Sequence, residues 1–194
     1  MGSDILPNNN NIDKWCGMFN LAYTQNTWSK YYHSAFYATL DTKLRTFQYK
    51  IIRRILPTNV QLKRFGIKHS DTCDFCHIAV ETYEHLFFKC PITNKILKDL
   101  VEWMYPSLII INELNVKCVV LGYIDIPCHK TCNIINTLFL TFKYYLYRCK
   151  CTNKVPSFRE LLVEIKKSHD IEKNTTHHRS REKWKILEKK CEAI

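Results

Sequence analysis

Mainly α-helix with an embedded cysteine–histidine knuckle, and room for a short strand or hairpin, is the fold class this sequence predicts. Three observations carry the prediction. Residues 73–90, CDFCHIAVETYEHLFFKC, read C-x2-C-x8-H-x4-C. On both sides of this segment apolar residues recur at helical spacing, with few glycines to interrupt them. A hydrophobic content of 46% over 194 residues is enough to bury a core, so the chain is not a disordered tail.

Taken in order, residues 1–12 are polar, with four consecutive asparagines from Asn8 to Asn11, and are expected to form a flexible lead. A helix is predicted from near Asp13, carrying Trp15, Phe19 and Tyr23. The next stretch places Trp28, Tyr31, Tyr32 and Phe36 at helical spacing, which favours a core face over a base-stacking platform. Residues 40–56 give the clearest helix. Leu40, Leu44, Phe47, Ile51 and Ile55 form one stripe, and Pro57 stops it. Lys43, Lys50, Arg53 and Arg54 lie largely off that stripe. Residues 59–65 add a turn, and Lys63, Arg64 and Lys68 surround the Gly66 break.

After the knuckle, Pro91 fits the first position of a helix whose core face is Ile92, Ile96, Leu100 and Trp103. Residues 108–120 read as strand or loop. Residues 131–149 form a strong helix with Ile135, Leu138, Phe139, Phe142, Tyr145, Leu146 and Cys149 inward. Pro156-Ser157 opens a helix over 158–167. Residues 172–190 suit one amphipathic helix anchored by Trp184 and Leu187. The organisation expected is thus the 1–12 lead, a helical segment over 13–72 with its basic helix, the knuckle over 73–90, and a helical segment over 91–194 packed with the rest as one unit.

The knuckle carries the chemistry. Zn2+ takes four thiolate or imidazole ligands in a tetrahedron, and Cys73, Cys76, His85 and Cys90 supply them. The two-residue spacing lets one tight turn aim two sulfurs at one point. The four-residue spacing leaves His85 and Cys90 about a helical turn and a half apart, so a kink at Pro91 is expected to bring both inward. His77 is a weaker rival, because it directly follows Cys76. Four protein ligands leave no position for a reacting water, so the one zinc is structural. Cys128, His129, Cys132, Cys149 and Cys151 make a second, looser grouping that reads better as core thiols.

The net charge of +11 predicts attraction to polyanions, nucleic acid first. No acid interrupts residues 42–70. Lys43, Lys50, Arg53, Arg54, Lys63 and Arg64 are the candidate phosphate contacts, and Phe75 near the knuckle a candidate stacking ring, with Phe87 or Phe88 beside it. Free thiols in apolar segments, with no signal-peptide pattern over residues 1–20, point to a reducing interior, cytoplasm and nucleus. No apolar run is long enough to span a bilayer, no membrane or small-molecule partner is expected, and no nucleophile–base arrangement is visible.

LRTFQYKIIRRILPTNVQLKRFGI over 44–67, followed by the 73–90 motif, resembles the reverse-transcriptase zinc-binding region of non-LTR (LINE-type) retrotransposons. VVLGY at 119–123, TFKYYLYRCK at 141–150, and IEKNT and KW near the end look like later segments of the same region. The resemblance implies that Cys73, Cys76, His85 and Cys90 bind zinc. It also implies RNA, and secondarily DNA, as partners during target-primed reverse transcription, alongside the rest of a retrotransposon polymerase. Catalysis does not carry over. The polymerase aspartate pair is missing: Tyr123-Ile124-Asp125-Ile126 has Ile where the second Asp belongs. The chain looks like a carboxy-terminal piece of such a protein. The alternative is a protein-interaction module in which zinc only staples the helices.

Overall fold

The computed structural model describes residues 10–22, 24–108, 114–124 and 129–194. Among them the fold is helical, with a π-turn and a single isolated bridge in place of a sheet. Helix α1 (Asn10–Phe19) starts earlier than expected, so the last residues of the predicted lead are structured and Ile12 is buried. Trp15 is fully buried and donates its indole N–H to Ile52 O at 2.9 Å.

Helix α2 (Gln25–Ala38) is capped by Thr24, whose hydroxyl accepts from Thr27 N at 3.2 Å. Its buried stripe runs Trp28, Tyr31, Ala35 and Ala38, steps of three and four. Phe36 lies one residue round from that stripe and is 57% exposed, against the expectation of a core ring. Tyr32 is half-buried; Tyr23 lies outside the described residues.

Helix α3 (Thr42–Ile52) begins at Asp41, whose carboxylate caps Lys43 N at 2.7 Å. It buries Leu44, Phe47, Gln48, Ile51 and Ile52. It ends at Ile52, well before Pro57. Arg54 takes a left-handed φ of 53°, while Ile55 N donates to Lys50 O at 2.9 Å and Arg54 N to Ile51 O at 2.8 Å. That is a Schellman stop built on a non-glycine residue. The stripe therefore breaks, and Ile55 is 54% exposed. Helix α4 (Asn59–Arg64) is a true helix, opened by Thr58 N donating to Gln61 Oε1 at 2.9 Å and closed by Gly66 at φ 71°.

Helix α5 (Pro91–Met104) has Pro91 at its first turn, as predicted. Its core face is Thr93, Ile96, Leu97, Leu100 and Met104; Ile92 is exposed and Trp103 only half-buried. Helix α6 (Val116–Leu121) replaces the expected strand or loop, capped by Asn115, while residues 109–113 lie outside the description. Gly122 follows at φ 114°, and a Cβ there would meet Ser34 Oγ at 3.0 Å and Asn136 Oδ1 at 3.3 Å.

Helix α7 (His129–Cys151) is the axis of the molecule. All seven predicted core residues are buried, and α2, α3, α8 and α9 pack around it. Helix α8 (Phe158–Lys173) runs past the predicted end and is capped by Ser157. The predicted terminal helix is instead broken into α9 (His178–Trp184) and α10 (Glu188–Glu192). Trp184 and Leu187 are buried as anchors. Buried polar contacts tie α9 to α8 and to the end of α2. Glu172 accepts from Trp184 Nε1 at 2.8 Å and Thr39 Oγ1 at 2.8 Å, and pairs with buried Lys183 at 2.6 Å. Such a charge is tolerated inside because each oxygen is paired.

Candidate metal centre

Cys73 sits at the start of a narrow loop closed by the antiparallel bridge between Thr72 and Val80. Within it His77 N donates to Cys73 O at 3.0 Å, and His77 itself takes a φ of 54°. That left-handed residue turns the loop and leaves the His77 side chain exposed, away from the cluster. The rival ligand is thereby removed.

His85 and Cys90 are joined differently from the expected kink. In an α-helix five residues span about 500°, leaving the two side chains about 140° apart. Here His85–Lys89 is a π-turn, and Cys90 N donates to His85 O at 2.8 Å. The wider turn brings Cys90 back over His85, a device common at functional sites. Pro91 then opens α5 instead of bending the previous helix.

The Sγ atoms of Cys73, Cys76 and Cys90 and a ring nitrogen of His85 all lie within 4.8 Å of one another. Cys73 Sγ and Cys90 Sγ are 3.9 Å apart, and Cys76 Sγ and His85 Nε2 are 3.3 Å apart. A tetrahedral zinc with ordinary bond lengths holds two sulfurs about 3.8 Å apart and a sulfur and a nitrogen about 3.5 Å apart. The donor set and its span therefore fit one Zn2+ held by Cys73, Cys76, His85 and Cys90. Three ligands are buried and Cys76 is half-buried, so the centre is closed.

The two facing thiols, Cys73 and Cys90, share a proton. The Cys73 thiol is held well above its usual range, first by its hydrogen bond to Cys90 and then by burial. Cys90 is drawn down to about 5 by the same bond, helped by the N–H groups of Thr93 and Ile92 at the start of α5. Cys73, Cys76, His85 and Cys90 would hold the zinc, whose charge would let the whole set stay deprotonated.

A buried ionic hub fastens the knuckle to the helices. Lys150 of α7 reaches Glu81 at 3.0 Å, Asp74 at 3.0 Å and Asn59 Oδ1 at 2.7 Å. Glu81 is fully buried and also accepts from Asn59 N at 2.9 Å. Asn59 Nδ2 donates to Thr72 O at 2.7 Å, and Lys68 pairs with Asp74 at 2.8 Å. Burial pushes the Asp74 carboxyl up, but hydrogen bonds from Lys68, Lys150 and Asn59 leave it below its usual range. Sequence reasoning missed this hub, because nothing local marks Glu81 or Lys150.

The predicted phosphate contacts separate. Lys43 and Lys50 are exposed on α3, and Lys63 and Arg64 on α4; Lys63 pairs with Asp71 at 3.2 Å. Arg53 is half-buried at the end of α3. Arg54 does not belong with them. Its guanidinium lies over the Trp15 ring at 4.4 Å and near the Tyr83 ring at 5.5 Å, a cation–π position in the wall of the core. Phe75 is half-buried and lines an open cleft of about 390 Å³ with His77, Ile92, Asn153 and Val155. Phe87 is fully buried and is no stacking ring, while Phe88 is half-buried.

Among the described residues no second cluster of metal-ligating side chains occurs. Cys132 Sγ donates to Tyr123 O at 2.8 Å, and Cys149 is a core thiol; Cys128 and residues 125–126 of the near match to the aspartate pair lie outside the description. No described helix is long and apolar enough to cross a membrane.

Residues 14–96, less than half of the chain, match the family model described as zinc-binding in reverse transcriptase. The match contains all four ligands and the basic helix. No curated protein and no solved structure matches the chain.

Proposed function

We propose, from the premise that residues 14–96 form a zinc-binding domain of the reverse-transcriptase type, that this chain binds nucleic acid and carries no catalysis of its own. Single-stranded or structured RNA is the first partner and DNA the second. The setting is a LINE-type retrotransposon polymerase, where the domain holds element RNA and target DNA.

One observation carries the reading. Between Lys14 and Ser70 the sequence has ten lysines and arginines and a single carboxylate, Asp41; Arg54 is taken up by the core, and Lys63 and Lys68 pair with Asp71 and Asp74 just beyond the segment. The Asp41 carboxylate is spent on capping α3, and the segment is bolted to the zinc knuckle through Asn59. The zinc shapes the surface, while the cations supply sequence-independent attraction. A closed four-ligand centre has no open position for chemistry.

Fluorescence anisotropy with a single-stranded RNA tests it. Affinity should fall steeply between about 50 and 200 mM salt, because each neutralised phosphate releases counterion with a slope of roughly 0.7. Zinc removal should leave weaker, less selective binding. Affinity no greater than that of a neutral control protein at about 50 mM salt overturns the reading.

A second reading has its own support. On the outer face of α2 Phe36 and Tyr37 are 57% and 52% exposed, and Arg45 lies over the Phe36 ring at 5.1 Å. Exposed rings grouped in this way suit a protein partner, such as a polymerase body. Protein binding abolished by Phe36→Ser, with no RNA affinity, would favour this module.

A further inference from the structure

A groove runs between helices α3 and α7. It is an open depression of about 360 Å³, within the range of small-ligand sites. Lys43 and Lys50, both exposed, stand on its α3 side, seven residues and so about 10 Å apart along the axis. Thr46 lies between them. Tyr144 and Tyr147 of α7 line the other side, with Phe47 at the base. Among the described residues no acid lines the groove itself; Asp41 and Glu164 line the adjoining depression that shares Lys43 and Tyr144 with it.

The rings are held in place before any ligand arrives. Tyr144 meets Phe47 edge-on at 5.2 Å, and Tyr147 tilts against Phe47 at 5.6 Å. The Tyr147 hydroxyl donates to Pro57 O at 3.2 Å. Both tyrosines are half-buried, so each still presents surface to the groove. They belong to the Lys-Tyr-rich stretch 141–150, which lies beyond the family match, and neither ring is among the four metal-ligating residues.

We infer that this groove is a nucleotide subsite for single-stranded nucleic acid, with one unpaired base against Tyr144 and Tyr147 and flanking phosphates on Lys43 and Lys50. Cations bracketing a preset aromatic floor, with hydroxyls between, are what a backbone-tracking, base-stacking site requires. A neutral apolar ligand would not need the lysines, and an anion without a ring would not need the floor. The inference rests on the nucleic-acid reading above and adds to it the place where the strand lies, on the side of α3 and α7 rather than at the knuckle's Phe75.

A ten-nucleotide oligouridine and the same oligomer with one abasic position are the probes, read by anisotropy on the zinc-loaded full chain. Lys43→Gln with Lys50→Gln should weaken oligouridine binding and lower the log–log salt slope by about 1.4, two contacts at roughly 0.7 each. Tyr144→Leu should weaken it by about 5- to 150-fold, the worth of one stacked base. Tyr144→Phe should restore it, which separates the ring from any loss of fold. The abasic oligomer should bind the wild type and Tyr144→Leu more nearly alike. A 5-bromouridine oligomer should crosslink to Tyr144 or Tyr147. Wild-type binding that is indifferent to all three variants, or crosslinks at Phe75, overturns the subsite and leaves the nucleic-acid reading standing. Absence of wild-type binding overturns both.

Discussion

Replacing Lys150 by Met tests what ties the zinc knuckle to the helical body. The Lys150 side chain is 5% exposed and its ammonium has three partners, Glu81 and Asp74 at 3.0 Å and Asn59 Oδ1 at 2.7 Å. Met keeps most of the stem but removes the charge. Glu81, fully buried, then retains only the neutral N–H of Asn59 and a long contact from Asp74 N at 3.4 Å. A buried carboxylate stripped of its cation costs about 3–5 kcal/mol. With a urea slope of roughly 3 kcal/mol/M, the top of the range for small proteins, the midpoint should fall by about 1–2 M. Urea unfolding of zinc-loaded protein, followed by tryptophan fluorescence, reads this directly. The sharper readout is the cycle with Glu81→Gln. Once Lys150 is gone, neutralising Glu81 should recover part of the loss, so the double variant should be destabilised by clearly less than the sum of the two singles. Additive losses, or a loss below about 1 kcal/mol for Lys150→Met, would refute the hub as a charge-dependent clasp.

Two further outcomes are expected. Elemental analysis should find one zinc per chain, with chelation or Cys76→Ser raising hydrogen exchange from Gly66 to Leu100 while Cys132→Ser leaves the metal count unchanged; reduced protein without zinc would remove the metal centre. Lys143 is fully buried, its ammonium donating to Gln48 Oε1 at 2.6 Å and Val120 O at 2.8 Å, and burial lowers it to about 7 from 10.5. Between those values the unfolded chain holds a proton that the folded chain lacks, so this residue makes stability rise with pH from about 7 towards 10.5, by at most about 1.4 kcal/mol per unit. Below about 7 both states are protonated and the slope vanishes. Urea midpoints at pH 7, 8 and 9 should therefore converge upward on those of Lys143→Met, and parallel curves would refute the assignment.

The ligand set was legible because its chemistry is local. Zinc needs four donors of restricted kind, and Cys73, Cys76, His85 and Cys90 stand within eighteen residues of one another. The helices of the core were legible for a similar reason: burial of one face imposes its period on the chain, and α7 shows it at all seven expected positions. The cap at Ser157 and the first-turn proline Pro91 were written in residue type. Helix ends written in backbone conformation were not. A left-handed Arg54 is no sequence signal, so α3 seemed to run on to Pro57, Ile55 was expected inside, and Arg54 was expected to meet phosphate when it lies over Trp15. The π-turn that closes the centre likewise leaves no mark in the letters of residues 85–89. Tertiary structure alone decided which charges face water. Lys43, Lys50, Lys150 and Lys183 are the same residue in the sequence. The first two stand in solvent, and the last two are buried because carboxylates of other elements, Glu81 of the knuckle and Glu172 of α8, are folded against them. An ion pair of that kind is a property of where two elements meet, and no spacing within either element encodes it.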